Sequence, residues 1–346
     1  MSTIRDVAQL AKVSISTVSL TLNYPDRVSP DTRRKVTDAA QVVGYTANPI
    51  AQSLKRGRSK LIGVVVADIT NPFFGKFLIE VERCAMEADY LVIVSDTAGR
   101  LANEKAILAH LSGQLVSGII LSPACPVQEA MDHISALNMP FVLFDQKLAD
   151  IQSDFVGTDN HLASAMLTEH LIRLGHKHIA FIGGTPGLFT AQQRKQGFID
   201  TMTASQIPVD PGLLMEGIYS AEHGYEATMR LMTMGANRPS AILAASNLMA
   251  LGALQACNEL CIACPDEVSL AGIDDVPWAA VIRPRITVAI QPVEDIARMA
   301  TRLLLKRIAT GSSAPTPFED VILAPKLLIG ESTRALIAVH AKGAAF

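Results

Sequence analysis

The chain has 346 residues, and 49% of them are hydrophobic, so it is long enough for more than one domain and for a large buried core. No apolar run approaches the roughly 18–20 residues that cross a bilayer, and the first residues, MSTIRDVAQLAK, lack the apolar core of a signal peptide. We therefore expect a cytoplasmic protein without a membrane partner. Its five cysteines, an odd number in a long chain, do not indicate a disulfide framework.

The charge is distributed unevenly along the chain. Residues 1–60 hold ten Lys and Arg against four Asp, whereas the remainder holds 20 basic against 29 acidic residues. A basic head on an acidic body indicates that only the head binds a polyanion.

Three short helices are predicted in the head. Thr3 is placed to cap the first, with Asp6 at the capping-box position. Lys12 and Val13 form a tight turn, and Ser14 caps the second helix, which turns Val18 and Leu22 inward. Ser29 caps the third, which carries Pro30 at its first position and ends at Gly44. Two helices joined by a tight turn and followed by a third match a helix-turn-helix.

The second helix begins with SISTVSL, a cluster of small hydroxyls around an isoleucine. A helix that enters the major groove presents its first turn to base edges, and small side chains permit close approach. Ile15 and Leu20 would contact thymine methyl groups, while Ser16 would hydrogen-bond a base edge. An ordinary capped helix in a small bundle is the alternative interpretation.

The segment 47–60, ANPIAQSLKRGRSK, predicts a short helix with Asn48 as cap and Pro49 at its first position. So short a helix does not hold in water without tertiary support. A helix that forms only on DNA would insert Leu54 into a minor-groove step while Lys55 and the following cations bind phosphates. A basic linker is the alternative, which explains the charge but not Leu54.

From Leu61 onward, near-continuous apolar runs alternate with longer amphipathic stretches. The runs are LIGVVVAD, YLVIVSD, GIILSP, FVLFD, HIAFIGG, AILAAS and SLAGID. This pattern predicts parallel sheets covered by helices on both faces, divided between two α/β lobes. The ligand of an open parallel sheet binds outside the carboxyl ends of its strands, so we expect a shared cleft.

Polar and aromatic residues follow the predicted strands. The strand-end carboxylates are Asp68, Asp96, Asp145, Asp274 and Asp275, and near them stand Asn71, Phe73, Arg194, Tyr219 and Trp278, the only tryptophan. Carboxylates and an arginine would orient a polyhydroxylated ligand, while an aromatic face covers its apolar side. For any single Asp, a turn or helix cap is an equally good interpretation.

Two further motifs are interpreted as structural. CNELCIAC (Cys257, Cys261, Cys264) has a spacing that would fit an iron–sulfur cluster, but Cys257 and Cys261 are predicted to continue the apolar face of a helix. GGTPG (183–187) lacks the Lys-Ser/Thr of a P-loop and is interpreted as a tight turn, and His176 and His178 as loop and packing residues. We expect no catalytic set, no metal and no cofactor.

Several segments in this order resemble the lactose/galactose repressor (LacI/GalR) family. They are TIRDVAQLAKVSISTVSLTLN, VSPDTRRKVTDAAQVVGY, NPIAQSLKRGRS, LIGVVVADITNPFF, HLIRLGHKHIAFIGG, SLAGIDD and GEST, and they extend to about residue 335. The resemblance implies a dimeric, effector-controlled transcriptional regulator with an all-α helix-turn-helix head and an α/β, two-lobed, periplasmic-binding-protein-like body. It places Ile15, Ser16 and Leu20 at bases, Leu54 at the operator centre, and Thr17, Ser19 and Asn23 near phosphates.

The resemblance also implies which residues line the cleft. Asn71, Phe73, Asp145, Arg194, Tyr219, Asp274 and Gln291 match positions that often do so. One departure concerns the family's Asn-Asp pair, which is Ser246-Asn247 here, so we expect the effector to differ from the commoner hexoses or to sit differently. The Arg that usually precedes Glu-Ser-Thr is Gly330, and the tail ALIAVHAKGAAF has no assigned counterpart.

We therefore expect a DNA-binding domain at 1–46, a hinge at 47–60, a two-lobe effector and dimerisation domain at 61–335 and a tail at 336–346. The predicted DNA contacts are Arg5, Ser14, Ile15, Ser16, Thr17, Ser19, Leu20, Asn23, Leu54 and Lys55. The predicted effector contacts are Asn71, Phe73, Asp145, Arg194, Tyr219, Ser246, Asp274, Trp278 and Gln291. The expected partners are a pseudo-palindromic duplex operator and a sugar-like effector, with tetramer formation left open by the absence of a clear C-terminal heptad repeat.

Two other classes of protein would use the same cleft. A sugar-binding receptor would require export, and no signal segment is present. A sugar-processing enzyme would require an acid and a base in distinct environments. The cleft carboxylates would permit that arrangement, but the basic head would then be unexplained.

Overall fold

The structure is a computed structural model, and it describes residues 2–45, 59–113, 116–125, 128–310 and 317–336. The predicted hinge contacts Leu54 and Lys55 lie outside the described residues, as does the tail from residue 337. The chain divides into two compact units, Met1–Lys60 and Leu61–Phe346. None of the described helices is long and apolar enough to cross a lipid bilayer.

The described part of the first unit contains three α-helices, α1 (Ile4–Ala11), α2 (Ile15–Asn23) and α3 (Pro30–Val42), with a 3-10 turn at Pro25–Arg27. The predicted caps are confirmed, because Thr3, Ser14 and Ser29 each accept a hydrogen bond from a backbone N–H in the first turn of their helix. Asp6 completes the capping box with Thr3. Each cap satisfies a backbone donor that the helix leaves without a partner.

A small apolar core holds these three helices together. Its buried members are Val7, Ala8, Val18, Val36, Ala39 and Ala40. Lys12 ends α1 in the left-handed conformation (φ 54°), which confirms the predicted tight turn, and Gly44 (φ 62°) follows the end of α3. The head is therefore a helix-turn-helix with a third supporting helix.

The N-terminal lobe of the second unit begins with alternating strands and helices. They are β1 (Leu61–Val66), α4 (Pro72–Glu87), β2 (Leu91–Asp96), α5 (Leu101–Gly113), β3 (Ile119–Leu121), α6 (Gln128–Ser135), β4 (Phe141–Phe144) and β5 (Asp154–Thr158). The C-terminal lobe continues with α7 (Asn160–Arg173), β6 (Ile179–Gly183), α8 (Phe189–Ala204), β7 (Leu214–Glu216), α9 (Ala221–Met232), β8 (Ala241–Ala244), α10 (Asn247–Glu259), β9 (Ser269–Ile273) and β10 (Thr287–Ile290).

The end of the chain returns to both lobes. Helix α11 (Val293–Thr310) packs on α4 in the N-terminal lobe, β11 (Asp320–Leu323) pairs with β5, and β12 (Lys326–Leu328) pairs with β10. The sheet orders are β11-β5-β4-β3-β1-β2 and β12-β10-β9-β8-β6-β7. All pairs are parallel except β10 with β12. The chain thus crosses between the lobes three times, and the predicted two-lobe parallel α/β architecture is confirmed.

Apolar side chains pack on the faces of both sheets, so the central strands are fully buried. In the first lobe, Phe77 stacks on Phe144 at a centroid distance of 3.9 Å, and in the second, Phe181 stacks on Phe198 at 5.2 Å. Burial on both faces explains why the sequence shows near-continuous apolar runs rather than alternation.

One prediction about the cysteines is wrong. Helix α10 ends at Glu259, and Cys261 lies beyond it, exposed and in the left-handed conformation (φ 55°), whereas Cys257 is buried in the helix as predicted. Leu260 and Cys261 form the turn that leaves the helix, so the helical spacing does not extend to Cys261. The predicted tight turn at 183–187 is present but lies slightly later, because Gly183 ends β6 and the N–H of Leu188 donates to the carbonyl oxygen of Thr185 at 3.2 Å.

Candidate functional site

Three hydroxyl groups gather at the start of α2. Ser14 Oγ accepts a hydrogen bond from the backbone N–H of Thr17 at 3.0 Å, and it lies 2.7 Å from Ser16 Oγ and 2.8 Å from Thr17 Oγ1. The hydroxyl of Ser14 is therefore used to cap the helix. Ser16 and Thr17 place further small polar groups at the helix N-terminus, where the partial positive charge of the helix favours a phosphate.

The two faces of α2 differ in burial. Val18 and Thr21 face the core, and Thr21 was not predicted to be buried. Ile15 is 45% exposed and Leu20 38% exposed, and Ser16 is exposed between them. The outer face of α2 therefore carries two large, partly exposed apolar side chains together with the exposed Ser16.

The other predicted DNA contacts have different environments. Arg5 is exposed on α1, and Thr17 and Ser19 are half-buried on α2. The side chain of Asn23 is outside what the structure describes. Tyr24 and Arg27 are two exposed residues shortly after α2, and the guanidinium of Arg27 lies 5.0 Å from the centroid of the Tyr24 ring.

In the body, two of the predicted carboxylates interact electrostatically with one arginine. Arg194 is only 5% exposed, and its charge lowers the pKa of both Asp145 and Asp274. Burial is the larger influence on both: it raises the pKa of Asp145 to about 6 and also raises the pKa of Asp274. Both pKa values lie above the ordinary value for aspartate because desolvation penalises the charged carboxylate more than Arg194 stabilises it.

The position of Arg194 is determined by neutral acceptors. Its Nε donates to Asn160 Oδ1 at 2.7 Å, and one terminal nitrogen donates to the carbonyl oxygen of Ala245 at 2.7 Å. The guanidinium carbon also lies 5.7 Å from the centroid of the Tyr219 ring. A buried guanidinium needs such partners, and together they direct it toward the cleft. Arg194 lies in the second turn of α8.

Gln291 is tied directly to Asp274. Its side-chain nitrogen donates to Asp274 Oδ2 at 2.5 Å and its backbone N–H to Oδ1 at 3.1 Å. The structure therefore brings five of the predicted effector contacts together, from the segments that follow strands of both lobes and from helix α8. They are Asp145, Arg194, Tyr219, Asp274 and Gln291.

Of the remaining predicted effector contacts, two cap helices and one packs in the core. Asn71 caps α4 by accepting from the N–H of Phe73 at 3.0 Å, and Ser246 caps α10 by accepting from the N–H of Met249 at 3.2 Å. Phe73 is buried and packs edge-on to Phe74. Trp278 lies in the loop after β9 and is half exposed.

Two other strand-end carboxylates form local turns. Asp68 Oδ1 accepts from the N–H and hydroxyl of Thr70, and Asp96 Oδ1 accepts from the N–H of Ala98. For these two positions the turn interpretation is therefore correct. His176 is also a packing residue: it is buried among Ser240, Ser269 and the carbonyl oxygen of Arg334.

Several polar residues of the cleft are not among the predicted effector contacts. Gln146, Thr190 and Asn160 are buried beside the predicted residues, and Asn247 donates to Asn71 Oδ1 across the cleft at 3.2 Å. Gln146 directly follows Asp145, and Thr190 precedes Arg194 by one helical turn. Proximity in sequence to predicted contacts was therefore a signal that could have found them.

Comparison with known proteins agrees with this geometry. Residues 3–48 match the model of bacterial regulatory proteins of the lacI family, and residues 168–333 match the periplasmic binding protein-like domain. The transcriptional repressor CytR of Escherichia coli (strain K12) is 31% identical over 341 residues, which cover 97% of each chain.

Two solved structures are similar over most of the chain. A lac repressor dimer bound to operator and the anti-inducer ONPF is 27% identical, with a TM-score of 0.84 over 96% of this chain and 99% of that one. The regulator CelR in complex with cellobiose is 27% identical, with a TM-score of 0.71 over 96% of this chain and 100% of that one. With its helix-turn-helix head and two-lobed body, this chain belongs to the lacI family of bacterial regulatory proteins, the DNA-binding transcriptional regulators that pair such a head with an effector-binding body.

Proposed function

We propose that this regulator reads its operator with the outer face of α2. The exposed Ile15, Ser16 and Leu20 would contact base edges, while Arg5, Ser14, Thr17, Ser19 and Asn23 would contact or approach phosphates. The observation that carries this assignment is the exposure of two large apolar side chains on the helix that follows the tight turn. Residues 1–46 are the proposed DNA-binding domain.

The cleft residues support a polyhydroxylated effector, most simply a sugar or sugar derivative. Asp145 and Asp274 offer acceptor oxygens, Arg194 and Gln291 offer donors, and Tyr219 and Trp278 offer aromatic faces. Asn71, Phe73 and Ser246 complete the proposed site. The complex of the similar regulator CelR with cellobiose supports this class of ligand.

The proposed coupling runs through residues 47–60. Effector binding shifts the body (61–335) between states, and the segment carrying Leu54 and Lys55 orders on DNA in only one of them. Two heads of a homodimer would then read a pseudo-palindrome. We propose that the protein acts in the cytoplasm, where its DNA partner is accessible.

Selection of bound duplexes from a random library tests the DNA-binding part. We expect a pseudo-palindromic site whose affinity falls steeply with salt. Recovery of no preferred sequence would contradict the operator assignment.

A thermal-shift screen of sugars, polyols, sugar acids and nucleobases tests the effector part. A compound that raises the melting temperature should also change the gel shift of the selected operator, in either direction. Chemical turnover of the bound compound would instead support the sugar-processing enzyme.

A further inference from the structure

Gln146 and Thr190 bond to each other in both directions across the cleft. Gln146 follows β4 of the N-terminal lobe, and Thr190 lies in the first turn of α8 in the C-terminal lobe. Gln146 Nε2 donates to Thr190 Oγ1 at 2.8 Å, and the backbone N–H of Thr190 donates to Gln146 Oε1 at 3.4 Å. Gln146 is 6% exposed and Thr190 2% exposed, so water does not compete for these bonds.

The same two side chains also reach a proposed effector contact on each lobe. Gln146 Nε2 donates to Asp145 Oδ2 at 3.0 Å, and Thr190 Oγ1 lies 3.2 Å from the hydroxyl of Tyr219. A continuous chain therefore runs from Asp145 through Gln146 and Thr190 to Tyr219. Because Thr190 accepts from Gln146, its own hydrogen can point to Tyr219, which leaves the phenol hydrogen of Tyr219 for a ligand.

An aromatic contact near this chain of hydrogen bonds also joins α8 to the N-terminal lobe. Phe189, the residue before Thr190, packs edge-on against Phe155 of β5 at a centroid distance of 5.7 Å. The polar bonds thus have an apolar neighbour that also crosses between the lobes. The Gln146–Thr190 hydrogen bonds and the Phe189–Phe155 contact require the lobes to be close, because each of them joins a residue of one lobe to a residue of the other.

We propose that Gln146 and Thr190 are positioning residues of the effector site. They hold Asp145 and Tyr219, from opposite lobes, in one binding arrangement and stabilise the closed cleft before an effector arrives. This inference rests on the proposed effector site. It predicts that removal of one hydroxyl group loosens both sides of the cleft, even in the absence of any ligand.

Hydrogen–deuterium exchange of the full-length, ligand-free protein tests the proposal. In Thr190→Val, which keeps the side-chain shape, peptides covering 142–148 and 188–194 should exchange at least threefold faster than in the wild type. Thr190→Ser, which keeps the hydroxyl, should retain wild-type exchange. Peptides from the core strands β1 and β6 should be unchanged, which separates cleft opening from general destabilisation.

Two further variants make the test specific. Thr201→Val in the same helix removes a hydroxyl that bonds only to the carbonyl oxygen of Gly197, so it should leave the cleft peptides unchanged. Gln146→Met should reproduce the effect of Thr190→Val, and the double variant should exchange no faster than either single one. The proposal would be overturned if the cleft peptides exchanged no faster in Thr190→Val than in Thr201→Val. It would also be overturned if they exchanged as fast in Thr190→Ser as in Thr190→Val. Since no ligand is used, a failed effector screen would not affect this result.

Discussion

Asp145 and Asp274 occupy equivalent positions in the two lobes. Each follows the fourth strand of its lobe in chain order, and each has a left-handed backbone, with φ of 60° and 68°. The N–H of Asp145 donates to Val156 O in the next strand, and the N–H of Asp274 donates likewise to Ala289 O. A left-handed conformation is unfavourable for a residue with a side chain, yet both lobes adopt it where a carboxylate meets the cleft.

This equivalence explains how one arginine serves two carboxylates. The two sheets have the same strand order, so their carboxyl ends present corresponding positions to the shared cleft. Arg194 interacts favourably with both aspartates, while each pKa remains raised by burial. The site therefore holds acceptors whose charge is sensitive to pH.

Replacing Asp145 by Asn should stabilise the free protein more at pH 8 than at pH 5. The pKa of Asp145 is raised to about 6 by burial, and the ordinary value for an unfolded chain is about 3.9. Since the folded-state value is the higher one, the carboxyl contributes most below about pH 4 and that contribution is lost as the pH rises through 6. Chemical unfolding at both pH values measures the difference, on the order of 1 kcal/mol. Asp68→Asn, in an exposed turn, is the control, and an equal gain at both pH values would contradict the assignment.

Replacing Arg194 by Ala should abolish the response to the effector and cost about 3–5 kcal/mol of unfolding free energy. The loss leaves Asp145 and Asp274 buried without their cation. Adding Asp145→Asn should recover part of the stability. Lys195→Ala is the matched control, because its partly exposed ion pair with Glu216, at 2.9 Å, should contribute less than about 1 kcal/mol. An unchanged effector dose response would remove Arg194 from the site.

Replacing Gly184 by Ala should destabilise the protein through Tyr219. A Cβ at this position would lie 2.1–2.6 Å from three carbons of the Tyr219 ring. We expect a loss of about 1–3 kcal/mol on chemical unfolding, since the ring must move. In a Tyr219→Ala background the same substitution should cost little. Gly75→Ala, where a Cβ meets nothing within 4 Å, is the control, and a loss independent of Tyr219 would contradict this explanation.

Replacing Ile15 or Leu20 by Ala should reduce operator discrimination while leaving stability within about 0.5 kcal/mol. Ile15 remains 45% exposed and Leu20 38% exposed, whereas Val18 is fully buried, so folding buries less of these two side chains than of Val18. Val18→Ala, on the buried face of the same helix, should instead lower the free energy of unfolding. Gel shifts with the selected operator and with a scrambled duplex measure the first effect. If the variants bound the operator as tightly as the wild-type protein does, the assignment of this face to base reading would be refuted.

Replacing Leu54 by Ala should weaken operator binding far more than non-specific DNA binding. The reason is that a side chain inserted into a base step contributes to DNA affinity only where the hinge is ordered, which we expect on the operator. Lys55→Ala should weaken both kinds of binding and reduce the salt slope by about 1. Salt-dependent gel shifts on the two duplexes separate these effects. Comparable losses on both duplexes for the leucine variant would refute its role.

The sequence by itself determined the elements whose signals are local. Caps such as Ser14 and Ser29 act within one helical turn, and fully buried strands such as β6 show as apolar runs. Strands with short or mixed sequences were not predicted. Thus β5, β7, β10, β11 and β12 depend on pairing with distant strands, and nothing in their own residues encodes the partner.

The tertiary structure decided which polar residues act together. Arg194 and Asn160 are 34 positions apart and Gln146 and Thr190 are 44 apart, so no spacing rule joins them. Their pairing follows from two sheets whose carboxyl ends converge on one cleft. The sequence marked Asp68, Asp96, Asp145 and Asp274 alike, and only burial beside Arg194 separated the last two from carboxylates that cap turns. The physical reason is that a polar side chain loses its hydrogen bonds to water when it is buried and needs protein partners in their place. Which partners are available is decided by the tertiary structure.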